Sequence, residues 1–175
     1  MSDITLITGG SRSGKSTYAL QKALEFSGKR VFVATAIAFD DEMTVRIQKH
    51  KDERSDSFLT IEEPYHLSNM LQKICNEYSP QVILVDCLTV WLGNLFYQNN
   101  NDEKIIRQEI EKLLAVLIEF PVPILFVTNE VGSGIVPENA LARQFRDMAG
   151  FLNQAVARVA DEVVMCCCGI PVKIK

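Results

Sequence analysis

Along the chain, short unbroken apolar runs alternate with longer segments whose apolar residues recur at helical spacing. The runs Ile4–Thr8, Arg30–Thr35, Val82–Asp86, Ile124–Thr128 and Glu162–Cys168 are rich in Val, Ile, Leu or Phe and show no polar alternation. Strands of that kind suit a sheet covered on both faces. Helices are predicted over Lys15–Phe26, Asp41–Arg54, His66–Glu77, Glu103–Glu119 and Glu138–Ala160. In Glu103–Glu119, Ile106, Ile110, Leu113, Leu114 and Leu117 form the stripe of a helix lying on a sheet. The alternation predicts one doubly wound, mostly parallel α/β domain over residues 1–175, with right-handed crossovers. Gln98–Asp102 reads as a polar loop, with Asp102 near a helix N-cap. In the tail, Cys168-Gly169-Ile170-Pro171-Val172 predicts a turn and a final edge strand, a C-terminal hairpin in which a proline is tolerated.

Composition narrows the class. The 175 residues are 47% hydrophobic and 23% charged, which argues against disorder. A net charge of −4 gives no support to a general affinity for nucleic acid or an anionic membrane surface. The most apolar stretch, Leu113–Val127, is interrupted by Glu119, Pro121 and Pro123 and is too short to span a bilayer. With no basic, signal-like N-terminus, the cytoplasm is the expected location. The five cysteines, three of them consecutive at 166–168, have neither disulfide-framework nor zinc-site spacing and are expected to be reduced, strand-buried thiols.

Chemistry enters at Gly9-Gly10-Ser11-Arg12-Ser13-Gly14-Lys15-Ser16, which fits the phosphate-loop pattern G-x-x-x-x-G-K-[ST] between an apolar strand and a helix. Glycines let backbone N–H groups turn inward around phosphate oxygens, and the helix N-terminus adds positive potential. Lys15 can reach the β- and γ-phosphates, and the Ser16 hydroxyl can ligate Mg²⁺. The fold class becomes P-loop NTPase-type. A second element, Val82-Ile83-Leu84-Val85-Asp86, ends in a carboxylate suited to holding Mg²⁺ or its waters. Asp86 could instead cap a helix that starts at Leu88-Thr89-Val90. These elements specify a nucleotide but not an acceptor.

A basic segment, Arg46-Ile47-Gln48-Lys49-His50-Lys51-Asp52-Glu53-Arg54, carries one of the two histidines. If it is helical, Met43, Ile47 and His50 share a face, with Arg46 four residues before His50. An imidazole among cations has a lowered pKa and keeps a lone pair free to attack phosphorus. The same cations could stabilise charge developing on phosphoryl oxygens. On spacing alone, a surface histidine on a charged helix is the simpler reading.

Three groups of residues carry a resemblance that covers essentially the whole chain: Gly9–Ser16; Asp40-Asp41-Glu42-Met43 with Arg46-Ile47 and His50-Lys51; and Val127-Thr128-Asn129-Glu130-Val131-Gly132. Further matching runs are Gly134–Asn139, Leu141-Ala142-Arg143, Phe145-Arg146-Asp147 and Asn153-Gln154. The sequence resembles the bifunctional adenosylcobinamide kinase / adenosylcobinamide-phosphate guanylyltransferase family of cobalamin biosynthesis. The resemblance implies phosphorylation of the aminopropanol hydroxyl of adenosylcobinamide by ATP or GTP. Transfer of GMP from GTP to that phosphate would follow, through a covalent histidine–GMP adduct. The histidine in the matching Arg-Ile-x-x-His-Lys context is His50; His66 lies outside it. By the same resemblance Thr35, Ala36, Ile37, Lys51, Asp52, Glu53, Arg54, Glu62 and Asp86 complete the nucleotide site around Lys15, and the assembly is a homotrimer whose neighbouring subunits bound the corrinoid cleft.

Asn129 and Glu130 end a predicted strand on the phosphate-loop edge of the sheet, where open α/β folds place ligands, and are candidates for positioning acceptor or metal. A loop held by its own hydrogen bonds is the competing reading. Arg143 and Arg146 are candidates for phosphate binding or a subunit contact. Two other functions fit the phosphate loop: a kinase for another small alcohol with His50 incidental, and a regulatory switch built on Asn129–Gly134.

Overall fold

In the computed structural model the described residues are 3–38, 41, 44, 45, 48 and 55–175. Seven strands form one sheet: β1 Ile4–Gly9, β2 Arg30–Ala34, β3 Leu59–Glu62, β4 Val82–Asp86, β5 Ile124–Val127, β6 Glu162–Cys167 and β7 Ile170–Lys173. The helices with both ends among the described residues are α1 Lys15–Leu24, α2 Leu67–Tyr78, α3 Leu88–Gln98, α4 Glu103–Leu117 and α5 Ala140–Val159. The strand order is β3-β2-β4-β5-β1-β6-β7, parallel throughout except for the antiparallel β6–β7 hairpin. The doubly wound, mostly parallel sheet and its C-terminal edge hairpin are therefore as expected. The predicted helix Asp41–Arg54 lies largely outside the described residues; Asp41, Thr44, Val45 and Gln48 have helical backbone.

Alternate residues of each central strand feed two cores. Ile4, Leu6, Val31, Val33, Ile83, Val85, Ile124 and Phe126 pack against α2–α5. Ile7, Phe32, Leu84, Leu125 and Val127 pack under α1, around Ala19 and Ala23. Central strands sealed on both faces explain why they read as continuous apolar runs.

One strand was not anticipated, and a helix from Leu88 entered only through the alternative reading of Asp86. Strand β3 is a short edge strand whose residues are mostly exposed, so it carries no apolar run. Helix α3 buries Leu88, Thr89, Trp91, Leu92, Asn94, Leu95 and Phe96, nearly its whole circumference, and so has no polar face to mark a period. Its N-cap is Cys87, whose Sγ accepts from the Val90 N–H, so Asp86 is not the cap. Burial and the neighbouring Asp86 charge push the Cys87 thiol pKa up to about 12, keeping it neutral. Asp102 does cap α4, accepting from Lys104 N and Ile105 N.

The expectation of strand-buried cysteines holds only in part. Cys166 is buried, but Cys167 and Cys168 are exposed, because the hairpin turns there and leaves them without a covering helix. At its far end the hairpin is tied to α1 by the Lys22–Glu162 ion pair, with Lys173 Nζ 3.7 Å from Glu162. The Lys22 hydrogen bond, ahead of the Lys173 charge, lowers the Glu162 pKa. Lys175 Nζ caps the end of α5 through the Ala157, Arg158 and Ala160 carbonyls. Among the described residues no helix is long and apolar enough to cross a membrane.

Phe126 is fully buried on a central strand and touches the larger core. Phe126→Ala should lower unfolding free energy by about 3–5 kcal/mol, read from urea denaturation. A loss below about 1 kcal/mol would contradict this packing.

Candidate active site at the C-terminal edge of the sheet

Six parallel strands end together. Glu62, Ala34, Asp86, Val127, Ile7 and Val164 lie in one continuous register row across β3, β2, β4, β5, β1 and β6. Immediately beyond that row come the phosphate loop after β1, Thr35–Ile37 after β2 and Asn129-Glu130 after β5. The sheet thus brings Gly9–Ser16, Thr35, Ala36, Ile37, Glu62, Asp86, Asn129 and Glu130 to one edge. At about 4.8 Å per strand, Asp86 stands roughly 10 Å from the β1 strand and Glu62 roughly 19 Å. That places Asp86 two strands from the phosphate loop and Glu62 far across the rim. His50, Lys51, Asp52, Glu53 and Arg54 lie outside the described residues.

The loop is built by exclusion of side chains. A Cβ on Gly9 would stand 2.5 Å from the Cys166 carbonyl oxygen and 2.5 Å from Ser13 Oγ. Gly14 has φ +90°, and a Cβ there would meet Gly169 Cα at 3.0 Å. Gly14 is also the N-cap of α1, and being glycine it offers no side-chain cap. By contrast α3, α4 and α5 begin on side-chain acceptors, Cys87, Asp102 and Asn139. The first amides of α1 are left for an external anion, with no acidic residue in the first turn to compete. Two hydroxyls at this place, Thr8 Oγ1 and Ser13 Oγ, are buried without a hydrogen-bond partner among the described residues. Buried polar atoms rarely stay unpaired, and a phosphate group would supply acceptors. Lys15 is buried to 9% exposure and its Nζ donates to the Gly10 carbonyl at 3.1 Å, folding the ammonium over the loop.

Thr35 has a different part. It is fully buried, and its hydroxyl donates to the Cys87 carbonyl and accepts from the Cys87 N–H, both at 2.9 Å. Its carbonyl accepts from Asn94 Nδ2 at 2.8 Å. These bonds occupy Thr35 in joining β2 to the β4–α3 turn; its side chain faces protein rather than ligand. Ala36 and Ile37 are half-buried and follow it along the rim.

Asn129 is fixed by a closed ring of hydrogen bonds that sequence reasoning missed. Its N–H donates to Thr89 Oγ1 (2.7 Å), and Thr89 shares a 3.0 Å bond with Thr128 Oγ1. Thr128 donates to Asn153 Oδ1 (2.7 Å), whose Nδ2 returns to the Asn129 carbonyl at 3.1 Å. Because Thr128 gives its only proton to Asn153, Thr89 must be the donor to Thr128. No short-range motif announces this ring, since its members come from α3, β5 and α5. Glu130 is joined to the phosphate loop by its own N–H, which donates to the Gly9 carbonyl at 3.0 Å, while its Oε1 accepts from Gly132 N at 2.8 Å. The reading of this segment as an internally bonded loop fits Glu130. Arg143 Nη1 donates to the Pro137 and Glu138 carbonyls and braces the loop before α5. Arg146 keeps one buried guanidinium nitrogen without a partner among the described residues.

Comparison with known proteins decides among the acceptors a phosphate loop allows. The family model described as cobinamide kinase / cobinamide phosphate guanyltransferase matches residues 5–174. The chain belongs to that family. It is 42% identical to the bifunctional adenosylcobalamin biosynthesis protein CobU of Salmonella typhimurium, over 97% of this chain and 98% of the relative. The namesake from Escherichia coli is 39% identical over the same shares, and CobP of Pseudomonas aeruginosa is 40% identical over 97% and 96%. In fold the chain is similar to the RadB recombinase, with a TM-score of 0.56 and 16% identity over 93% of this chain and 73% of that one. It is also similar to a KaiC-like protein from Pyrococcus horikoshii, with a TM-score of 0.52 and 17% identity over 93% and 70%. The family member thus carries its site on a P-loop NTPase fold.

An Mg²⁺ ion suits the donors present. Among the described residues no three His, Cys, Asp or Glu side chains form a metal cluster. Mg²⁺ keeps several waters and takes one or two protein oxygens beside substrate phosphates, which the Ser16 hydroxyl and Asp86 carboxylate could provide.

Two outcomes check this geometry. Gly9→Ala forces its methyl against the Cys166 carbonyl; it should cost about 1–3 kcal/mol of stability and weaken triphosphate binding in calorimetric titration. Undiminished binding would contradict the close packing. Thr35→Val leaves the Cys87 N–H and carbonyl unpaired in the interior and should lower stability by about 1–3 kcal/mol, measured by chemical denaturation.

Proposed function

We propose that this chain phosphorylates the aminopropanol hydroxyl of adenosylcobinamide with ATP or GTP, then transfers GMP from GTP to that phosphate to give adenosylcobinamide-GDP. The observation that carries the reading is the match to the kinase/guanyltransferase family over residues 5–174. The uncapped α1 terminus, the unpaired Ser13 hydroxyl and the folded-in Lys15 support a triphosphate grip that both steps can use.

In the first step Lys15 swings from the Gly10 carbonyl to the β- and γ-phosphates, and the loop amides hold the phosphate oxygens while the substrate hydroxyl attacks. Ser16 and Asp86 hold Mg²⁺, which neutralises phosphate charge when bound. In the second step a neutral imidazole nitrogen of His50 attacks the α-phosphorus of GTP. A P–N bond forms, the bond from the α-phosphorus to its bridging oxygen breaks, and pyrophosphate leaves. The phosphate of the corrinoid then attacks the same phosphorus, the P–N bond breaks and His50 is regenerated. Two displacements let one nucleophile serve two acceptors in turn. Ala36, Ile37, Glu62 and the Lys51–Arg54 segment line the path of the nucleotide, with Thr35 holding the start of that rim in place, and Asn129 positions the acceptor. The corrinoid is too large for this one chain to enclose, so neighbouring subunits of a homotrimer complete the cleft.

Intact-protein mass after incubation with GTP and Mg²⁺ tests the second step. The wild type should gain one GMP, lost on acid treatment as a phosphoramidate is, and His50→Ala should gain none while still converting adenosylcobinamide to its phosphate. A folded, GTP-binding wild type without the adduct would sink the guanylyltransferase half and favour a plain kinase.

A further inference from the structure

The turn joining β6 to β7 carries two neighbouring thiols and touches the phosphate loop. Cys167 Sγ donates to Cys168 Sγ across 3.9 Å, and both residues are exposed. Cys168 and Gly169 have φ of +51° and +81°, the left-handed backbone that a two-residue hairpin turn requires at both positions. The Gly169 N–H then donates to the Ser13 carbonyl at 3.0 Å, and Gly169 Cα lies against Gly14. One residue before the pair, the Cys166 carbonyl packs on Gly9. The dithiol therefore sits on the segment that shapes both ends of the phosphate loop.

We propose that Cys167 and Cys168 form a reversible oxidation site whose closure to a vicinal disulfide loosens the phosphate loop; this rests on the nucleotide reading above. The oxidant is hydrogen peroxide. One thiol gives up its proton and attacks a peroxide oxygen as thiolate, the O–O bond breaks, a sulfenic acid forms, and the departing hydroxide takes up that proton as water. The neighbouring sulfur displaces the sulfenic hydroxyl as a second water, so two thiols and one peroxide give one disulfide and two waters. The hydrogen bond to Cys168 and the neighbouring Cys168 charge raise the Cys167 pKa. Closure cannot leave the turn as it is. Bonding draws the two Sγ atoms from 3.9 Å to about 2.05 Å and closes an eight-membered ring through the peptide between them, so that stretch of backbone must turn. That rotation carries the Gly169 N–H off the Ser13 carbonyl and shifts Gly169 against Gly14. A disulfide closed against its own backbone is also readily reduced, as a reversible device needs.

The test uses the full chain as wild type, Cys167→Ser and Cys168→Ser, each reduced, treated with hydrogen peroxide, then treated with dithiothreitol. Intact mass and peptide mapping report the disulfide, and a fluorescent GTP analogue reports affinity. The wild type should lose two hydrogens within the 167–168 peptide and bind GTP about tenfold more weakly, with full recovery on reduction. Both serine variants should bind equally before and after peroxide. A folded wild type that forms no disulfide, or one that binds GTP equally in both states, overturns the proposal. Reduced protein that binds no GTP would sink the nucleotide reading, and the coupling with it.

Discussion

Backbone amides can surround a phosphate only where no side chain takes the space, and here that space is set by contact between two distant segments. Gly9 lies against the Cys166 carbonyl and Gly14 against Gly169, so the β6–β7 hairpin forms one wall of the phosphate loop. The hairpin holds its place because its opposite end is fixed, through Glu162 to Lys22 and Lys173 and through Lys175 to the end of α5. A chain segment some 155 residues downstream of the loop thereby becomes part of its geometry. Loss of the tail would be felt at the phosphates, and a larger residue at Gly9 or Gly14 would be felt at the hairpin.

Around that contact the molecule separates groups that serve the protein from groups left for ligand. Thr35, Thr89, Thr128 and Asn153 satisfy one another or nearby backbone and hold the strand ends in register. The first α1 amides, the Ser13 hydroxyl and one nitrogen of Arg146 lack such partners among the described residues. Unsatisfied groups at the end of a well-satisfied scaffold mark where an anion belongs. The register row from Glu62 to Val164 sets the strand ends along one rim, long enough for a nucleotide to lie across several strands.

The central strands and the phosphate loop were legible because their signals are local: an apolar run sealed on both faces, and glycines at fixed spacing before a lysine. Helix α3 escaped because burial around its full circumference erases periodicity, and β3 because an exposed edge of four residues leaves almost none. Asp86 was read correctly as a rim carboxylate, whereas its alternative as a cap fell to Cys87, a thiol that rarely plays that part. The Asn129 ring and the hairpin wall were illegible for a different reason. Each joins residues more than twenty positions apart through single hydrogen bonds or backbone contacts, which leave no pattern in the chain. Cys167 and Cys168 looked like buried strand residues because an apolar run does not reveal where its covering helix stops.

A crystal structure with a non-hydrolysable GTP analogue and Mg²⁺ tests the central claim directly. Phosphates seated within Gly9–Ser16, Lys15 Nζ moved from the Gly10 carbonyl to the β- and γ-phosphates, and the Gly169–Ser13 bond intact would bear out a loop shaped by the hairpin for a triphosphate. A nucleotide bound elsewhere, or one bound with Lys15 still on Gly10, would contradict it.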